Sequence, residues 1–229
     1  MEEIQPTYNR RKSTVGTIVR TVILLAFVVA VVLISPWLMK RIFDVYWQNV
    51  LWAFLIIAFL YGLMIVAVIV LCKTEKQKIS ALGFTKKHLP SQILIGLGFG
   101  VGLFLILGLA PVLLKIMYVD SSPWSALNLV YAVYKFAIVG VGEELVFRGY
   151  VQTQIDKVSP RKFIAPIVTA VLFGLWHIFN ANWWIVIVAT VVGLLFGFAR
   201  VYIKRCSLLS VMIAHGLYDF SIVMLAWIF

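Results

Sequence analysis

The chain has 229 residues, 63% of them hydrophobic and only 13% charged, against an ordinary globular usage of about 45–50% apolar and about 25% charged. A soluble core cannot absorb that much apolar surface, so an ordinary water-soluble domain is excluded. Lys and Arg outnumber Asp and Glu by 20 to 9, but the positives sit in short runs between apolar stretches, a pattern of membrane topology rather than of nucleic-acid binding.

A spanning helix needs about 20 predominantly apolar residues. Seven stretches qualify in chain order: 18–39, 48–72, 92–118, 126–153, 163–180, 183–203 and 207–229. They predict an all-α, polytopic transmembrane helix bundle of about seven spans, a single membrane domain over 1–229 with no room for a soluble one. The first stretch follows Arg10, Arg11 and Lys12 but continues through Pro36 to Met39 without a small-residue cleavage site, so it reads as a retained anchor rather than a signal peptide.

The charges alternate between the connections. Arg10, Arg11, Lys12 and Arg20 precede or open the first stretch, and Lys73, Lys76, Lys78, Lys86 and Lys87 fill the connection after the second. Lys157, Arg161 and Lys162 follow the fourth, and Lys204 and Arg205 the sixth; only Lys40 and Arg41 disagree. The positive-inside rule makes these faces cytoplasmic and predicts an N-terminus inside and a C-terminus outside in a multi-pass protein, and the compact size of the chain suggests a bacterial cell membrane. Trp37, Trp47, Trp124, Trp183, Trp184 and Trp227 then fall at the outer ends, as amphipathic rings at headgroup level do. Cys72 and Cys206 lie beside cytoplasmic basic residues, where thiols stay reduced, so neither a disulfide nor a cysteine metal site is expected. Gly96 with Gly100, Gly98 with Gly102, and Gly193 with Gly197 have the spacing that lets helix backbones approach closely in lipid. No internal repeat is visible, which weighs against a carrier.

Ionisable groups within spanning segments are costly and usually mark function. Here they are Glu143, Glu144, Arg148, His177, His215 and Asp219, with Arg20, Lys115, Lys135 and Arg200 nearer segment ends, where their stems can snorkel. Glu144 and Arg148 are i,i+4 neighbours on one helix face, so the arginine neutralises Glu144 and leaves Glu143 without a cation of its own. His215 and Asp219 also share a face. Counting 1.5 Å per residue from the cytoplasmic ends puts Glu143, His177 and His215 roughly 20, 22 and 14 Å deep, so three helices converge near mid-membrane. The plain structural readings are an ion pair for Glu144 and Arg148 and an interhelical hydrogen bond for His177. Glu143 resists such a reading, because a water-activating base is what an unpaired carboxylate at this depth can serve as.

Glu143, Glu144 and Arg148, then Phe173 and His177, then His215 and Asp219, in that order on successive apolar segments, resemble the signature of the CAAX-protease and bacteriocin-processing family, also called Abi. That signature is Glu-Glu-x-x-x-Arg, Phe-x-x-x-His and His-x-x-x-Asn or Asp, and it covers residues 143–219 here. The resemblance implies an intramembrane peptidase with its catalytic core at about 126–229. In it Glu143, helped by His177, activates a water, His215 with its partner Asp219 stabilises the oxyanion, and Glu144 and Arg148 hold and orient the site. The eukaryotic members carry Asn at the position of Asp219, and an ionised Asp cannot donate to an oxyanion, so Asp219 orients His215 or is protonated. Glu143, His177 and His215 also supply the donors of a two-His-one-carboxylate metal site. No His-Glu-x-x-His helix is present, so a metal-free glutamate mechanism is favoured, with a divalent metal as the alternative and no other cofactor.

The expected partners are membrane lipid and a peptide or membrane-protein substrate, reached through a cavity open to the cytoplasm or sideways to lipid, and no nucleic acid. The oligomeric state and the natural substrate are not specified by the sequence. Two other functions compete: a non-proteolytic bacteriocin self-immunity or accessory membrane protein, which the resemblance also allows, and a proton-coupled carrier.

Overall fold

The computed structural model describes residues 14–31, 33–34, 50–116, 126–180 and 183–225, and these contain helices, turns and no strand. Helix α1 is Thr14–Val31, α2 is Val50–Thr74, and α3 is Leu89–Leu113 with a π-helical stretch at Phe104–Leu109. Helix α4 runs over 126–158 with π-helical stretches at Lys135–Val139 and Leu145–Val151. Helix α5 is Ile164–Trp176, extended by a 3-10 turn at His177–Asn180. Helices α6, Trp183–Tyr202, and α7, Leu208–Leu225, complete the set. The basic run Arg10 to Lys12, Pro36 to Met39, the pair Lys40 and Arg41, and Trp37, Trp47, Trp124 and Trp227 lie outside the described residues.

Among the described residues five helices are long and apolar enough to cross a membrane: α1, α2 from Phe54, α3, α6 and α7. Helix α4, which carries Lys135, Glu143, Glu144 and Arg148, and α5, only 13 residues long, are not among them. The outward faces are apolar: Phe59, Leu94 and Ile106 are each more than 60% exposed. Water would penalise such a surface, whereas hydrocarbon solvates it, provided that the backbone bonds are satisfied within helices.

Side-chain contacts sort the helix ends into two groups. At one end α2 closes on Glu75, whose carboxylate accepts hydrogen bonds from Arg20 of α1 at 2.9 Å and from Tyr150 and Gln154 of α4 at 2.5 and 2.6 Å. Burial alone would raise the Glu75 carboxyl, but the bonds from Tyr150 and Gln154 and the charges of Lys157 and Arg20 outweigh it and hold it below its ordinary value. Arg20 therefore does more than snorkel. Gln92 of α3 bonds Ser207 at the start of α7, and Arg200 of α6 donates to the carbonyls of Arg148 and Leu82. The connections 74–89, 158–164 and 202–208 emerge here with their lysines and arginines; this is the charged end. At the other end Phe54 of α2 stacks on Tyr131 and Tyr134 of α4.

Close crossings bring the middle of the bundle together. Gly140 of α4 lies on Gly216 of α7: a Cβ on the first would meet the amide nitrogen of Gly216 at 2.8 Å, and one on the second the Phe136 carbonyl at 2.6 Å. Without side chains there, the residues next to Gly216 on α7 reach those next to Gly140 on α4. Of the expected glycine pairs, Gly96 and Gly100 seat α3 on α7, and Gly193 and Gly197 seat α6 on α5, whereas Gly98 and Gly102 meet nothing within 4 Å.

Candidate active site

The α4 turn carrying the two glutamates is buried throughout: Glu143 is 3% exposed and Glu144 and Arg148 not at all. Oε1 of Glu144 accepts from Nη1 of Arg148 at 2.9 Å and lies 2.8 Å from Nδ1 of His215. The guanidinium is further held over the Phe173 ring, 4.1 Å from its centroid, a favourable cation–π contact in a dry site. The missing side chain at Gly193 makes room for it, since a Cβ there would stand 3.0 Å from Nη2.

Glu143 points to a different set of partners. Its Oε1 accepts from the Tyr61 hydroxyl of α2 at 2.6 Å and from the Trp176 indole of α5 at 3.3 Å. Its Oε2 is buried without a hydrogen bond and lies 3.8 Å from Nε2 of His215. One oxygen is thus anchored, and the other faces the groups around it.

The two intramembrane histidines are each committed at Nδ1. A carboxylate paired to arginine only accepts, so Nδ1 of His215 carries the hydrogen bonded to Glu144; Nδ1 of His177 lies 2.9 Å from the Phe173 carbonyl, which likewise only accepts. Both rings therefore present Nε2 to whatever enters. His177 sits where α5 gives way to its 3-10 turn, edge-on to Phe173 at 4.9 Å between centroids.

Asp219 pairs elsewhere than the sequence pattern suggests. Its Oδ2 is 3.0 Å from Nζ of Lys135, and its Oδ1 is 3.8 Å from Nε2 of His215, beyond hydrogen-bonding reach. Glu144, rather than Asp219, is the carboxylate within hydrogen-bonding distance of the His215 ring. Lys135 departs from its expected snorkelling role for the same reason: the Lys135–Val139 stretch turns the ammonium inward to Asp219.

A cavity of about 420 Å³ opens beside these groups, lined by Glu143, His177, His215, Asp219 and Lys135 among apolar residues of α3, α6 and α7. Side-chain exposure falls from 28% at Lys135 through 16% at Asp219 and 7% at His215 to 4% at Glu143 and zero at Glu144. Lys135 and Asp219 therefore mark the mouth and Glu143 the floor. Among the described residues no group of three or more His, Cys, Asp or Glu closes into a metal-holding set. Cys72 and Cys206 are free thiols away from the cavity.

All six residues singled out in the sequence are thus drawn into one connected cluster. Sequence reasoning missed Tyr61, although it is the single hydroxyl between positions 50 and 72, and it gave Lys135 and Trp176 no part in the site.

Residues 123–221 match the family model for type II CAAX prenyl endopeptidase Rce1-like proteins. No curated protein and no solved structure matches the chain. The matched stretch contains all three motifs from Glu143 to Asp219, and the resemblance they carry is borne out: over residues 123–221 this chain is similar to the Rce1-like type II CAAX prenyl endopeptidases.

Proposed function

We propose that this protein is an intramembrane endopeptidase that hydrolyses membrane-associated or lipidated peptides with a water activated by Glu143. The observation that carries the reading is the asymmetry of the Glu143 carboxylate, with Oε1 fixed by Tyr61 and Trp176 and Oε2 unbonded beside His215 at the cavity floor. A carboxylate held in one orientation with a lone pair directed at the reacting space is what general-base attack requires.

In this mechanism Oε2 takes a proton from water as the water oxygen bonds to the scissile carbonyl carbon. His177 accepts the second water hydrogen at Nε2 and so aims the attack. Protonated His215 donates from Nε2 to the oxyanion, and Glu144 with Arg148 fixes that ring. Glu143 then passes its proton to the amide nitrogen as the carbon–nitrogen bond breaks, leaving a new amino terminus and a carboxylic acid that gives up its remaining proton to solvent. Asp219, paired with Lys135, keeps the mouth of the cavity polar.

We read the chain as one membrane domain with its catalytic core at about 126–229 and seven crossings. The helical run over 126–158 is about 50 Å long at 1.5 Å per residue, enough to cross despite its charges, and α5 with its 3-10 turn supplies the short seventh. The charge bias of the connections favours a cytoplasmic N-terminus, and a bacterial membrane is proposed on the size of the chain and the family resemblance alone.

Incubating the purified protein in lipid vesicles with a panel of single-span peptides and identifying fragments by mass spectrometry tests the reading. It expects paired fragments with a free carboxylate and a free amine at one bond. Intact peptides across the panel would instead favour the self-immunity or accessory role.

A further inference from the structure

We infer that the cavity is loaded from the non-cytoplasmic side of the membrane, so that the substrate is a membrane-attached peptide segment exposed at the outer surface rather than a cytosolic tail. The word substrate rests on the peptidase reading; the direction of access does not.

The bundle has two distinguishable ends, and the cavity belongs to one of them. Its mouth, at Lys135 and Asp219, lies on the first half of α4 and the second half of α7, and its wall includes Trp184 at the start of α6. The lysines and arginines of the connections 74–89, 158–164 and 202–208 all emerge at the opposite end. Among the described residues the cavity end offers Lys115 and the paired Lys135 as its cations, and the sequence between α1 and α2 adds Lys40 and Arg41, still fewer than the lysines and arginines of the charged end. A bias of that size in short connections sets orientation in a bilayer, with the positive face inside. Trp183, 69% exposed at the cavity end, fits a ring lying in the opposite headgroup layer.

Entry from the charged end is closed by packing. Leu145–Val151 of α4 is buried throughout, and Phe147, Tyr150, Phe196 and Leu208 are at most 1% exposed between the Glu143 floor and the charged connections. Below them Arg200 ties α6 to the carbonyls of Arg148 and Leu82, and Tyr150 and Gln154 close on Glu75. Opening this layer would break the hydrogen bonds that Arg200, Tyr150 and Gln154 make there. Exposure instead rises from Glu143 to Lys135, away from the charged end. A scissile bond that reaches Glu143 therefore enters through the half of the bilayer facing Trp183. A polypeptide anchored in the membrane with its cleavable segment at the outer surface meets that geometry.

The test uses the full chain with Cys72→Ala and Cys206→Ala, carrying single cysteines at Trp183→Cys or Lys115→Cys on the cavity end and at Lys78→Cys or Lys162→Cys on the charged end. A membrane-impermeant sulfonated maleimide is applied to intact cells and, separately, to inverted vesicles. The proposal expects the first pair to label in intact cells and the second pair in inverted vesicles. Labelling of Trp183→Cys and Lys115→Cys in inverted vesicles alone overturns it, and two positions per end keep the result readable if one variant fails to fold. That reversal leaves the peptidase reading standing, because labelling requires no cleavage; absence of cleavage in the vesicle assay would sink the peptidase reading and leave the sidedness intact.

Discussion

Oε1 of Glu144 is shared between Arg148 and His215, at 2.9 and 2.8 Å. One carboxylate oxygen therefore neutralises the buried guanidinium and fixes the imidazole whose far nitrogen faces the cavity, so the ion pair is also part of the site.

Breaking this pair on one side leaves an uncompensated buried charge, which costs about 3–5 kcal/mol. Arg148→Met is expected to lose about that much stability, and Glu144→Gln a comparable amount with loss of cleavage as well. Combining the two changes removes both charges and is expected to recover much of the stability but none of the activity. Thermal unfolding of the three variants in one detergent, alongside their cleavage rates, checks both halves.

Tyr61→Phe removes a hydroxyl from Oε1 of Glu143 while preserving the ring that packs against Gly142. A hydrogen bond to a charged group is worth about 1.5–3 kcal/mol. The expected result is a loss of stability of about that size, seen as a lower melting temperature, together with a fall in kcat of about 10- to 100-fold and little change in KM. A variant that cleaves at the full rate would show that Glu143 needs no such anchor.

The sequence disclosed the helical architecture because periodic apolar runs and charge alternation act locally, and it disclosed Glu143, Glu144, Arg148, His177, His215 and Asp219 because ionisable groups stand out in apolar helices. It did not disclose their pairing. Spacing on one helix suggested His215 with Asp219, but an interhelical crossing at Gly140 and Gly216 delivers His215 to Glu144 instead. Lys135 looked like a snorkelling lysine since nothing in its own segment announces the π-helical stretch that faces it to Asp219. Tyr61 comes from a helix 82 positions away from Glu143, and tertiary contacts of that range leave only a faint mark on composition.

The glycine crossings give a paired comparison. Gly140→Ala places a Cβ 2.8 Å from backbone nitrogen that cannot yield without moving α7, so a loss of about 1–3 kcal/mol is expected, together with reduced cleavage as His215 is displaced. Gly98→Ala meets nothing within 4 Å and is expected to be neutral or to stabilise by up to about 1 kcal/mol, the helix-propensity gain of alanine. Equal effects at both positions would argue against the crossing.

Acid should loosen the charged end. Glu75, held below its ordinary value by Tyr150, Gln154, Lys157 and Arg20 against the opposing effect of burial, stabilises the fold while ionised. That contribution is present above the unfolded carboxyl pKa of about 4.3 and is lost as pH falls through the lower folded value. The melting temperature is expected to drop across that acid window, and Glu75→Gln, which never ionises, to show a shallower drop from a lower starting stability.

The central claim is that the free oxygen of Glu143 activates the water, and the most direct measurement is the single-turnover cleavage rate of a membrane-anchored peptide by the unaltered protein and by Glu143→Gln, each with and without a chelator. The account predicts cleavage that chelation leaves unchanged and that Glu143→Gln abolishes without a change in melting temperature. Cleavage by Glu143→Gln at the rate of the unaltered protein would contradict it, and loss of cleavage on chelation would replace the metal-free mechanism with one in which His177, His215 and Glu143 bind a divalent ion.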